Sequence, residues 1–547
     1  EQTGRMNRNV DYRTDFYSLG ATFYQLLTHQ LPFDTDDPLE LIHCHLAKQP
    51  IPPHQIDSSI PLALSQIVIK LLAKTAEARY QSAWGIRADL KNCWQQLENN
   101  HTITEFELGK EDISAKLQIP QKLYGREREI EILLAAFGRV CEEGQRRQGG
   151  QGIPITDYQF KPELVLVRGY AGIGKSSLVQ ETFKLVTQKK GYFVQGKYEQ
   201  YQRHMPYFGL IKALQELVRQ LLLEDSDRLA KWRDCILTTC GENIGVLIDV
   251  VPDLSLLLGQ HSAIATLNPT TAEHRFKLVF QKLIQVFAQA EHPLIIFLDD
   301  LQWVDRATLQ LIQILVAEGK QYLFLIGAYR DNEVNVFHPL SLSLEELTKF
   351  GVTIHYISLT PLNISQINQL LLETLKCDRK VTEPLAKLIL ETTRGNPFFI
   401  SEFIAYLEAE DLLKFERARQ IWYWNLTEIQ LAQATHNNLT ELLVKKIQKL
   451  DNNTQQILKL AACIGSSFEL STLVGCMTKP AEVIVALLQP AIAASLIIPI
   501  GNDRTAIELG ISLTRILTVR YKFAHDRIQQ AAYSLIPEDK KQTLHQI

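Results

Sequence analysis

The sequence has no surplus of either charge: 57 Lys and Arg stand against 61 Asp and Glu, for a net charge of −4. So even a balance supplies no global field toward nucleic acid or an anionic membrane, and leaves only local basic patches as a route to either. There is no C-x-x-C pair. The eight cysteines (Cys44, Cys93, Cys141, Cys235, Cys240, Cys377, Cys463 and Cys476) are scattered, which predicts free thiols, a reducing compartment and a cytoplasmic location. His43-Cys44-His45 lacks the spacing of metal ligands and reads as helix surface and core. No signal peptide is visible, and no apolar run reaches the roughly 18 residues that a membrane span needs. The chain begins at Glu1 without a methionine and stops inside the helix-like stretch 538–547, so a piece of a longer protein is expected.

With 547 residues, the chain exceeds one core, and roughly 100–200 residues per domain predicts three or four domains. The stretch that organises them is Gly169-Tyr-Ala-Gly-Ile-Gly-Lys175-Ser176, the full phosphate-loop pattern G-x-x-x-x-G-K-[ST]. It follows the apolar run Leu164–Val167 and opens at Ser177 onto a helix-like segment. Gly169, Gly172 and Gly174 let consecutive backbone N–H groups turn inward around a phosphate; Lys175 reaches the outer phosphates, and Ser176 is placed to ligate magnesium.

Short β-rich runs at 164–167, 192–196, 294–298, 322–327 and 353–357 alternate with helical segments, which predicts an α/β fold with a parallel sheet covered on both faces. A helical insertion is expected from about 207 to 290. The third run ends in Asp299-Asp300, at the strand edge where open α/β sheets bind ligands. Asp299 there suits magnesium, and Asp300 suits a general base, unless it only caps the following turn. Asp305 reads as a helix N-cap. The fourth run leads to Arg330, whose guanidinium suits a terminal phosphate; a salt bridge to Asp331 or Glu333 is the alternative.

Residues 1–98 are helical in pattern. Asp15-Phe-Tyr-Ser-Leu-Gly20, Leu31-Pro-Phe33 and Ala78-Arg79-Tyr80 resemble, in order and spacing, the C-terminal lobe of a serine/threonine protein kinase. The resemblance implies an ion pair between Glu1 and Arg79 and a structural role for Asp15. The glycine-rich loop, strand lysine, H-R-D and D-F-G motifs precede this part in a kinase, so the intact parent is expected to be a kinase and this chain is not.

Tyr124-Gly-Arg-Glu127, the phosphate loop, Phe297–Trp303, Gly327-Ala-Tyr-Arg330 and Arg394-Gly-Asn-Pro397 resemble the motif order of signal-transduction ATPases with numerous domains (STAND), and of origin-recognition-type AAA modules. The resemblance implies ATP or ADP with Mg2+, and assigns Gly125, Arg126 and Pro397 to the base; read from the residues alone, Gly395-Asn-Pro397 is also a turn between helices. It further implies that His525, in Phe523-Ala-His525-Asp526, reaches the ADP phosphate, where packing is the ordinary role of a lone histidine. The expected architecture is a kinase C-lobe fragment at 1–98, a linker at 99–121, a P-loop ATPase core at 122–360, a helical lid at 361–437, and a winged-helix-like domain with the start of a helical region at 438–547. The expected winged helix has no Arg or Lys in its second helix, 480–489, which points to protein partners rather than nucleic acid. A slow ATPase acting as a signalling switch is the leading expectation, a nucleotide-dependent oligomer is one form it takes, and a DNA-associated AAA ATPase is the rival.

Overall fold

Five short runs of aliphatic and β-branched residues become the central sheet. In the computed structural model they are β1 (Glu163–Arg168), β2 (Tyr192–Lys197), β3 (Leu294–Asp299), β4 (Leu323–Tyr329) and β5 (Thr353–Ser358). Their order is β2-β3-β4-β1-β5, and every neighbouring pair is parallel. The structure describes residues 12–545 apart from 36–37, 47, 113–116, 121, 146–162, 184–185, 187–190, 200–204, 223, 225, 260–268, 318–321, 417–420, 435–438, 478 and 501–518.

β3 and β4 are buried along their whole length. Successive strand side chains point to opposite faces, so both faces are covered, as a parallel sheet requires. Leu166, Val194, Ile296 and Leu325 share one core with Leu214, Leu247, Phe280 and Leu311. These come from helices Phe208–Leu221, Ile244–Val250, Pro269–Phe287 and Arg306–Ala317. The helices between β2 and β3 therefore supply much of that core instead of standing apart from it. On the other face, helix Glu127–Gln145 brings Phe137 to Phe324 at 6.0 Å between ring centres.

By internal contacts, Arg126–Thr360 with Thr35–His43 form one compact unit, and the described parts of 1–34, 44–125 and 361–547 form the other. In the second unit, helices Arg13–Thr28, Leu62–Leu71 and Ala83–Asn100 enclose Ile67, Leu71, Tyr80, Ile86 and Cys93. Arg79 is buried and donates to the carbonyls of Ala73 (2.8 Å) and Arg13 (3.0 Å); its expected partner Glu1 lies outside the described residues. Asp15 is exposed in the first turn of its helix. The segment read as a linker docks: Ile103, Phe106 and Leu108 pack on this core. Asp112 accepts from the backbone N–H of Gln81 (2.7 Å) and Ser82 (2.9 Å).

Helices Ile364–Leu375, Arg379–Thr393 and Pro397–Ala409 surround Leu371, Ile389, Ile400 and Phe403. A hairpin of β6 (Leu413–Glu416) and β7 (Ile421–Trp424) adds Trp422 to the same core. Beyond it, β8 (Ser467–Glu469), β9 (Ile497–Ile500) and β10 (Arg520–Phe523) form an antiparallel sheet in the order β8-β10-β9. It packs with helices Asn452–Ile464, Leu470–Met477, Ala481–Ala493 and Asp526–Ser534 around Leu458, Leu488, Tyr521 and Ile528. All eight cysteines are free thiols. Among the described residues, no single helix is long and apolar enough to cross a membrane.

Candidate functional site

The loop after β1 owes its shape to glycine. Gly169, Gly172 and Gly174 have φ of 149°, 79° and 100°, values that side chains disfavour. A Cβ on Gly169 would also stand 2.9 Å from the Leu359 carbonyl oxygen. Lys175 opens helix Lys175–Gln180 and is 7% exposed. Its ammonium folds back to donate to the carbonyls of Gly169 (2.8 Å) and Tyr170 (3.1 Å). Ser177 follows on the same helix.

β3 delivers its acidic pair to this loop. Ser176 Oγ donates to Asp299 Oδ2 at 2.6 Å, and the other Asp299 oxygen accepts from the Asp300 N–H at 2.9 Å. Asp300 itself has φ 57°, with no side-chain cap on the turn that follows. Its carboxylate lies between two cations: Lys197 Nζ is 3.4 Å from Oδ2, and Arg330 Nε is 3.4 Å from Oδ1. Gln302 Nε2 donates to Asp300 Oδ1 at 2.7 Å, while Gln302 Oε1 accepts from the Arg330 N–H at 3.1 Å. Arg330 also pairs with Glu333 at 3.0 Å, the alternative left open above. Asp299, Asp300, Gln302 and Arg330 are nearly fully buried, whereas Ser176, Lys197 and Glu333 are partly exposed.

Asp305 belongs to the scaffold. Its Oδ1 accepts from the Thr308 N–H at 2.8 Å and caps helix Arg306–Ala317, while its Oδ2 accepts from the Tyr207 N–H at 3.2 Å. Tyr207 has φ 63°, an uncommon conformation for a bulky residue. Asp305 thus ties the start of the helical insertion to the segment after β3.

Arg126, also in this unit, is 4% exposed and donates to the Thr360 carbonyl; burial lowers its pKa. Gly125, Pro397 and His525 belong to the other unit. Gly125 has φ 61°, and the Gln366 side chain occupies the place its Cβ would take. Gly395 has φ 73°, and its carbonyl accepts from the Leu362 N–H at 2.8 Å. Asn396 caps the helix that Pro397 begins. His525 caps helix Asp526–Ser534, its Nδ1 accepting from the Arg527 N–H at 3.0 Å. The ring stacks on Phe398 at 3.8 Å and 19°, so packing is one part of its role.

Lys197 and Gln302 were absent from the residues expected at the site. Lys197 ends β2 and lies in register with Asp299, whereas the expected strand stops one residue short of it. Among the described residues, no group of three or more His, Cys, Asp or Glu is placed to hold a metal. A magnesium ion at Ser176 and Asp299 would need phosphate and water oxygens to complete its shell, which is its usual habit. The donor set suits that pairing: inward N–H groups and an ammonium for an anion, a hydroxyl and a carboxylate for a hard cation.

Residues 157–326 match the AAA ATPase domain family, and the chain contains such a domain. It is 30% identical over 651 residues to hybrid signal transduction histidine kinase G of Dictyostelium discoideum, an alignment covering all of this chain and 18% of that protein. It is 45% identical over 82 residues to serine/threonine-protein kinase PknB of Mycobacterium leprae, covering 15% of this chain and 13% of that one. Among solved structures, Cdc6p of Pyrobaculum aerophilum aligns with 77% of this chain and 96% of its own, at 12% identity and a TM-score of 0.31. The chain therefore spans less than a fifth of either curated relative named here.

Proposed function

We propose that this chain is the nucleotide-dependent switch of a larger signalling kinase, binding ATP with Mg2+ at Gly169–Ser176 and hydrolysing it slowly. The observation that carries the reading is the 2.6 Å hydrogen bond from Ser176 to Asp299 at the mouth of a glycine-shaped loop. It brings together the hydroxyl and the carboxylate that magnesium chemistry at a triphosphate uses. Lys175 would exchange its loop carbonyls for phosphate oxygens, Ser176 and Asp299 would hold the ion directly or through water, and Arg330 would meet the terminal phosphate. Gly125, Arg126 and Pro397 would hold the base, and His525 would hold the diphosphate form. ADP and ATP would favour different states of the chain, and the ATP-bound state would engage protein partners.

Long alignments with histidine kinases favour a regulatory part of a kinase over a DNA-associated ATPase. The 82-residue serine/threonine kinase match favours a kinase-related segment within the chain. The test is metal dependence: magnesium should tighten ATP binding to the parent strongly, and to Ser176→Ala and Asp299→Asn weakly. Equal magnesium enhancement in all three would remove Ser176 and Asp299 from the ion and the reading with them.

A further inference from the structure

The carboxylate of Asp300 lies among charges that ordinary turn-capping does not explain. β2, β3 and β4 are adjacent in the sheet, and each contributes a group to the Asp300 cluster at or just beyond its C-terminal end. Lys197 comes from β2, Asp300 follows β3 and Arg330 follows β4. The left-handed backbone at Asp300 turns its carboxylate back between the two cations, and Gln302, 1% exposed, pins it from the carboxylate side and the Arg330 backbone side at once. Both oxygens are thereby engaged: Oδ1 by Gln302 and Arg330, Oδ2 by Lys197.

The two ion pairs are also loose. At 3.4 Å each, they are longer than the roughly 2.7–2.9 Å of a closed charge-assisted hydrogen bond. The two cations share the Asp300 carboxylate, and Arg330, the buried one of the two, is stable there only with an anion beside it. An incoming phosphate is such an anion, and it arrives at the same strand ends as Ser176 and Asp299.

We propose that Lys197 and Arg330 form a cation pair that reads the terminal phosphate of a nucleoside triphosphate, with Asp300 as the resident counter-ion that this phosphate displaces. Asp300 then discriminates between the two nucleotides: a diphosphate leaves the triad closed, and a triphosphate opens it. Glu333 stays on Arg330 in both states, holding the guanidinium while its Nε changes partner.

The inference rests on the nucleotide reading above, and binding measurements separate the two. Calorimetry on the full chain with Mg2+ compares ADP with a non-hydrolysable ATP analogue in the parent, Lys197→Met, Lys197→Arg and Asp300→Asn. Lys197→Met should lower the preference for the triphosphate by about tenfold, the scale of one charge-assisted contact, and leave ADP affinity near the parent value. Lys197→Arg should restore most of it. Asp300→Asn should raise the preference, because the competing anion is gone. An unchanged preference in Asp300→Asn, with ADP bound normally, overturns the counter-ion role even if the Lys197 variants do not fold. Failure of the parent to bind ADP at all would instead overturn the nucleotide site.

Discussion

Ser176 and Asp299 lie 123 residues apart in the chain, and their side chains meet at 2.6 Å. Asp299 is 5% exposed, so Ser176→Ala leaves one carboxylate oxygen without its donor. The expected cost is about 1–3 kcal/mol of stability, read as a lower unfolding midpoint in the absence of nucleotide. A second residue with a measurable signature is Lys74. Burial, reinforced by the Arg79 charge and opposed by Cys44, pushes its amine down to about 8. It donates to the Cys44 carbonyl at 3.0 Å and lies 4.4 Å from the centre of the Phe33 ring. The folded pKa is below the unfolded one, so between pH 8 and the usual lysine range the unfolded chain binds more protons, and this group makes stability rise with pH. Competitive amine labelling should show Lys74 titrating near pH 8; titration of Lys74 alongside the other lysines would contradict the burial.

Elements differ in how plainly the sequence announces them. The central strands are runs of Leu, Ile, Val and Phe buried on both faces, so composition marks them without a periodic pattern. The hairpin of β6 and β7 is not legible in the sequence because each strand has four residues, too few for alternation to register. Trp422 turns inward and Tyr423 outward, which only the paired strand makes visible. The docking of the segment at 101–112 is hidden by its polar composition: Ile103, Phe106 and Leu108 carry its packing, and Asp112 carries its hydrogen bonds. At the site, the motifs identified Lys175, Ser176, Asp299 and Arg330 as candidates, whereas Lys197 depends on sheet order, which no local pattern encodes. Two junctions test the lid and the C-terminal module as elements. At φ 73°, a Cβ on Gly395 would collide with the Leu362 carbonyl, so Gly395→Ala should cost about 1–3 kcal/mol and loosen the start of helix Pro397–Ala409. His525→Ala removes both a helix cap and the stack on Phe398; about 0.5–2 kcal/mol is expected for the cap alone. Amide exchange should quicken in helix Asp526–Ser534, and unchanged protection there would show that the cap is dispensable.

On the scale of the whole molecule, an AAA ATPase domain is flanked by helical modules within a chain that spans 18% of its histidine-kinase relative. The proposed switch makes nucleotide state a determinant of how these modules are arranged. Limited proteolysis should therefore give different fragment patterns with ADP and with a non-hydrolysable ATP analogue, and identical patterns would argue against a switch. All of this depends on one site binding nucleotide through one loop. Equilibrium binding of Mg-ATP to the parent and to Lys175→Ala measures that directly. A loss of about 1.5–3 kcal/mol, roughly ten- to a hundredfold in affinity, is expected. Equal affinity in a folded Lys175→Ala would contradict it.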